Sequence, residues 1–262
     1  MRIPIFQVDA FAERPFAGNP AAVCPLGSWL PDALMQAIAQ ENNLSETAFL
    51  VRDGGGWAIR WFTPEMEVDL CGHATLASAW VVLERLDPGA SEVTFGSRSG
   101  PLRVERGAGG LLRMVIPRRP GRPIEPPELL VRAVGRRPRE TLLARDMMAV
   151  LESEEEVRAL EPDLVAVRGL EALGLIVTAP GREVDFVSRF FVPQAGIAED
   201  PVTGSAHCTL VPYWSARLGK RTLEARQVSR RGGALRCEDL GDSVSIAGRA
   251  VLYLEGVIEV PG

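Results

Sequence analysis

Asp69-Leu70-Cys71-Gly72-His73-Ala74-Thr75 and, half a chain later, Glu199-Asp200-Pro201-Val202-Thr203-Gly204-Ser205-Ala206 are the stretches that decide the fold. In each, a glycine turn opens a helix: the apolar run Ala74 to Leu86 in the first, and Ser205 to Leu218, interrupted by Pro212, in the second. A turn of one style occurring twice points to a chain built from two similar halves.

The same turns suggest chemistry. A helix N-terminus presents backbone N–H groups and the positive end of its dipole, and a glycine there lets an anion approach closely. Two such ends, at Leu70 to Thr75 and Asp200 to His207, would hold a carboxylate well in one cleft. The chain has only two histidines, His73 and His207, and both fall in these segments. His73 can act as donor or acid/base near neutral pH, whereas His207 lies inside the helix and reads as structural. Asp200 is either a cap for its turn or a ligand for a substrate amino or hydroxyl group. Glu46, between Ser45 and Thr47 at a strand entry, is not distinguished by spacing from an exposed turn residue.

Working outward, Leu30 to Glu41 has helical spacing, and Thr47 to Val51 and Trp57 to Phe62 read as strands. Strand candidates follow at Val93 to Phe95, Leu102 to Glu105 and Leu111 to Ile116, before the Pro- and Arg-rich loop Arg118 to Pro127. That loop divides the chain into an N-terminal half, 1–118, and a C-terminal half, 119–262; the last strand is open to joining the first half. The second half has strand-like runs at Leu142 to Val150, Leu175 to Thr178 and Phe186 to Val192, and a capping box at Ser153 and Glu156. Val244 to Ile246 and Ala250 to Val260 read as closing strands.

Composition narrows the function. At 262 residues the chain exceeds a usual single core of roughly 100 to 150 residues. A net charge of −5 and the absence of a long basic block argue against a nucleic-acid or anionic-lipid surface; the runs Arg118 to Arg122 and Arg136 to Arg139 are short solvated loops. The start lacks the apolar run of a signal peptide, and no stretch approaches the ~20 apolar residues of a membrane span, so a cytoplasmic location is expected. Cys24, Cys71, Cys208 and Cys237 form no CxxC pair, so neither a zinc site nor a disulfide framework is indicated.

With Gly18-Asn19-Pro20-Ala21-Ala22-Val23 and Asn43-Leu44-Ser45-Glu46-Thr47-Ala48-Phe49, the two turns make four motifs in the order of the PhzF-type isomerase family of phenazine biosynthesis, which the chain resembles over most of its length. The resemblance implies an α+β fold like that of diaminopimelate epimerase: two pseudo-symmetric halves, each a curled, barrel-like mixed sheet around a central helix. It implies a cofactor-independent isomerase, without metal, that shifts a proton on a small carboxylate-bearing substrate, and a homodimer. Glu46 would be the general acid/base. His73 and Asp200 would bind and polarise the substrate, Gly72, Gly204 and Ser205 would offer donors to its carboxylate, and Asn19 would line the site.

A carboxyl group of pKa ~4.3 is almost wholly ionised near neutral pH, so this role predicts a partly buried Glu46 in a largely apolar cleft. Related epimerases and racemases use two opposed cysteines; Cys71 matches one position, but Thr203 stands at the other and cannot act as a thiolate. Cys71 is therefore expected to be a packed residue or a minor contact. An epimerase or racemase acting beside a carboxylate, and a non-catalytic small-molecule binder, are the alternatives.

Overall fold

The computed structural model describes residues 1–261 and divides the chain into two compact units: Met1–Val115 together with the chain from Ala247 onward, and Ile116–Ile246. The first unit carries β1 (Arg2–Ala10), β2 (Asn19–Leu26), α1 (Asp32–Asn42), β3 (Glu46–Asp53), β4 (Gly56–Phe62), β5 (Glu67–Val68), α2 (Gly72–Val81), β6 (Glu92–Ser97), β7 (Gly100–Arg106) and most of β8 (Leu112–Pro117). The closing strand, Ala250–Glu259, returns to pair antiparallel with β1. The second unit carries β9 (Arg122–Pro123), α3 (Glu128–Val134), β10 (Glu140–Leu143), β11 (Met147–Val150), α4 (Glu154–Arg158), α5 (Leu164–Arg168), β12 (Leu175–Pro180), β13 (Phe186–Val192), β14 (Ile197–Asp200), α6 (His207–Leu218), β15 (Thr222–Gln227), β16 (Gly233–Asp239) and most of β17 (Ser243–Gly248).

The two units repeat one pairing scheme. In the first, β1/β2 is antiparallel, β2/β3 parallel, β3/β4 antiparallel, β4/β6 parallel and β6/β7 antiparallel. In the second, β10/β11, β11/β12, β12/β13, β13/β15 and β15/β16 follow the same alternation. A parallel step needs a crossover, and each one here holds helix: α1 and α2 in the first unit, α4 with α5 and then α6 in the second.

Side-chain alternation explains the layering. Ile3, Ile5, Ala22, Cys24 and Phe49 pack with Met35, Ile38 and Ala39 of α1. The alternate residues Val8, Ala21, Val23 and Ala48 are also buried, on the face toward α2. Helix α2 touches β1, β2, β3, β7 and the closing strand, so the mixed sheet curls around it. Among the described residues no ladder joins the closing strand to β7 or β8, and the sheet stays open rather than closing as a barrel.

In the second unit Leu175, Val177 and Ala179 pack with Leu130, Val157 and Val167 of the small helices. From the opposite face of β12, Thr178 Oγ1 accepts from Trp214 Nε1 of α6 at 3.0 Å. Strands buried on both faces read as continuous apolar runs.

Several sequence expectations change in detail. The single run Leu142 to Val150 is two antiparallel strands, because the polar Arg145-Asp146 pair forms their turn. Pro212 does not interrupt α6. A proline leaves the carbonyl four residues back without its helical donor, and the Arg119 N–H supplies it, 2.9 Å from Cys208 O. Thr209 Oγ1 donates back to Arg119 O at 2.9 Å. At α4, Ser153 Oγ accepts from Glu156 N, but the Glu156 carboxylate reaches the N–H of Glu152 rather than that of Ser153. Among the described residues no helix is long and apolar enough to cross a membrane.

Candidate active site

Strand parity aims two polar side chains at the start of α2. Asn19 opens β2 and Glu46 opens β3, and Ala21 pairs with Glu46 in the parallel ladder, so both lie at one end of the sheet. Asn19 shares a face with Ala21 and Val23, and Glu46 with Ala48; this is the face that meets α2. Two local devices fix these entries. Asn43 ends α1 in the left-handed conformation at φ 48°, and Asn42 Nδ2 donates to Thr47 Oγ1 at 3.1 Å, which orders the turn before Glu46. Gly18 adopts φ +65°, and a Cβ there would lie 2.1 Å from Ala10 O.

Gly18→Ala is thus expected to lower stability by about 1–3 kcal/mol, the usual range for a strained backbone residue, and to shift Asn19. Denaturant unfolding checks the first effect. An unchanged midpoint would show that the turn relaxes without loss.

The core of the arrangement is a buried polar chain. His73 Nε2 lies 3.0 Å from Glu46 Oε2, with side chains only 5% and 14% exposed. Beyond this ion-pair contact, neither atom has a hydrogen-bond partner. On the other side of the ring, Asn19 Nδ2 lies 3.1 Å and Cys71 Sγ 3.5 Å from Nδ1. Burial opposes charge on His73, whereas the neighbouring Cys71 and Glu46 groups, in their ionised forms, favour it and raise its pKa above the ordinary imidazole value. Burial also pushes the Cys71 thiol up to about 11, so it stays neutral near pH 7. Cys71 is the N-cap of α2, and Thr75 Oγ1 donates to its carbonyl at 2.5 Å. Gly72 and His73 follow in the first turn, where backbone N–H groups have no intrahelical acceptor.

The second turn is tied differently. Asp200 Oδ2 accepts from Thr203 Oγ1 at 2.5 Å, so this carboxylate holds its own turn. Gln227, at the end of β15, completes the support: its Oε1 accepts from Thr203 N at 2.8 Å, and its Nε2 donates to Asp200 O at 2.7 Å. Gly204 and Ser205 form a tight single turn ahead of α6, and Ser205 Oγ accepts from Arg145 Nη2 at 2.8 Å. Arg145 also pairs with the buried Asp146 at 3.0 Å. The structure therefore gathers Asn19, Glu46, Gly72 and His73 in the first unit and Asp200, Gly204 and Ser205 in the second. Sequence reasoning missed Gln227 and Arg145; a polar residue in a buried slot of the alternating strand Thr222–Gln227 was the available signal for the former.

His207 is enclosed, with Nδ1 2.9 Å from Thr203 O and the ring 6.0 Å from that of Phe186. Burial pushes its pKa down to about 4, from an ordinary 6.5. The unfolded chain then binds a proton that the folded chain refuses, so stability is full above pH 6.5 and falls as the pH drops toward about 4. By linkage the loss amounts to about 3 kcal/mol. Urea midpoints measured across this range should slope less in His207→Gln than in wild type; equal slopes would refute the assignment.

Comparison with known proteins identifies the family. A family model described as PhzC-PhzF, phenazine biosynthesis-like protein, matches residues 8–124 and 139–256. The chain is 50% identical to an uncharacterized isomerase of Pseudomonas aeruginosa, covering 99% of this chain and all of that protein. It is similar to the crystal structure of a PhzF-family phenazine biosynthesis protein from Enterococcus faecalis, with TM-score 0.97, 48% identity, and coverage of 99% of this chain and 100% of that one. A hydroxyproline epimerase from Agrobacterium vitis, 10% identical with TM-score 0.62 over 98% of this chain and 92% of its own, shares the fold. The chain belongs to the PhzC-PhzF family of phenazine biosynthesis-like proteins.

Proposed function

We propose that the protein is an isomerase that moves a proton on a small carboxylate-bearing substrate, with Glu46 as the general acid/base and no cofactor. The observation that carries this reading is the Glu46–His73 contact: a nearly buried carboxylate 3.0 Å from an imidazole, with neither facing atom committed to a hydrogen bond. A base must lie within hydrogen-bond reach of the proton it takes, and uncommitted buried atoms gain most from a substrate that fills that reach. Glu46 takes the proton and returns it to another atom of the substrate. His73, made more basic by its neighbours, donates from Nε2 to the substrate and stabilises charge that develops as the proton leaves.

Asn19 orients the His73 ring. Gly72 in the first turn, and Gly204 and Ser205 in the second, offer donors to carboxylate oxygens. Asp200 binds a substrate amino or hydroxyl group through the carboxylate it also uses to hold Thr203. The name carried by the Pseudomonas relative supports isomerase chemistry. The homodimer implied by the family resemblance belongs to the same reading, and a sizing experiment checks it.

Incubation in heavy water with a panel of small amino and hydroxy acids tests the proposal, with deuterium incorporation as the readout. Exchange accompanied by a moved double bond supports the isomerase; exchange with loss of chirality alone turns the reading to an epimerase. No exchange with any compound overturns proton transfer in favour of a binding protein.

A further inference from the structure

Three different donor atoms meet at the start of α2. A carboxylate oxygen of Glu46, the sulfur of Cys71 and a ring nitrogen of His73 all lie within 4.8 Å of one another. Bond lengths of about 2.0–2.3 Å to a tetrahedral zinc-class ion require donor-to-donor edges of about 3.3–3.8 Å. The contact of Cys71 Sγ with His73 Nδ1, 3.5 Å, lies within that range, and that of Glu46 Oε2 with His73 Nε2, 3.0 Å, lies just below it. These two contacts use opposite ring nitrogens, so a shared ion requires the His73 ring to turn until a single nitrogen faces both the sulfur and the oxygen.

Two further observations point to a cation. Glu46 Oε2 and His73 Nε2 are buried with no hydrogen-bond partner beyond their own 3.0 Å ion-pair contact, so an ion that enters replaces that one contact and sends the ring proton to solvent. Among the described residues, the side chains acting electrostatically on Cys71 and His73 are each other and Glu46, with no lysine or arginine among them. A thiolate and a carboxylate together neutralise a divalent ion, with neutral imidazole as the third ligand, so the loaded cluster buries no net charge. The positive end of the α2 dipole opposes the ion but favours the thiolate form of Cys71. Sulfur and imidazole select zinc-class ions over magnesium or calcium, and three protein ligands leave a fourth position open.

We propose that Glu46, Cys71 and His73 form an inhibitory site for a zinc-class divalent cation. Occupation withdraws the Glu46 carboxylate from proton transfer, so the ion acts as a brake on the activity proposed above; the binding itself does not depend on that activity.

Titration of the metal-free protein with Co2+, followed by absorbance, tests the site. One equivalent should produce a thiolate-to-cobalt charge-transfer band and the intense visible bands of a four-coordinate ion. Zn2+ should bleach both, and excess Mg2+ should leave them. Cys71→Ala and Cys71→Ser should lack the charge-transfer band, while Glu46→Gln and His73→Gln should weaken Co2+ binding at least tenfold, with circular dichroism confirming the fold of each. Cys24→Ala, Cys208→Ala and Cys237→Ala should keep the band. Its absence from wild type, or its survival in both Cys71 variants, overturns the proposal. Because the readout needs no substrate, that failure is separate from failure of the proton-transfer reading, which rests on deuterium exchange.

Discussion

Glu46→Gln should lose about 10²–10⁴-fold in the rate of deuterium exchange with any substrate that wild type turns over, the usual contribution of a positioned general acid/base. The amide matches the carboxylate in shape, so its contact with His73 and its place at the head of β3 survive, and far-ultraviolet circular dichroism should not change. His73 loses the anion beside it and becomes less basic, so any residual rate should have a different pH profile from wild type. Retention of the full rate would remove Glu46 from the mechanism. Loss of turnover in Cys71→Ala, with Glu46→Gln active, would transfer the role to the thiol.

Trp214→Ala should remove about 3–5 kcal/mol of stability, read as a lower urea midpoint with little change in slope. Trp214 is 1% exposed, stacks on Phe186 at 5.7 Å with 4° between the planes, and donates to Thr178. Truncation opens a void at the centre of the second unit and breaks that hydrogen bond. Trp214→Phe keeps most of the volume and should cost far less, because Thr178 Oγ1 still donates to Val187 O at 2.7 Å. Equal effects from the two variants would show that the hydrogen bond, rather than packing, governs the site.

The helices α1 and α2 were legible because an amphipathic or wholly apolar period has few alternative readings, and the strand β4 because its residues alternate. By contrast, β2 was not singled out as a strand. It contains Pro20 and Pro25 and is buried on both faces for most of its length, so it shows neither strand composition nor alternation. Spacing left Glu46 undistinguished because its meaning comes from a parallel ladder that brings it beside residues distant in the chain. The motif resemblance singled it out, along with Asn19, whereas His73 stood out already as one of two histidines in the helix-opening turns. No local pattern records that Arg145 would reach Ser205, sixty positions away.

The closing strand has a consequence for biosynthesis. The last ladder of the first unit joins β1 to Ala250–Glu259, so β1 stays one strand short until that distant segment has left the ribosome. The second unit, by contrast, is one continuous stretch, Ile116–Ile246, and all of it has been synthesised before that strand appears. On the growing chain, the unit made second can finish folding first, while the Glu46–His73 unit waits with the edge of β1 uncovered. Ribosome-bound chains that stop before Ala250 should therefore present that edge to chaperones.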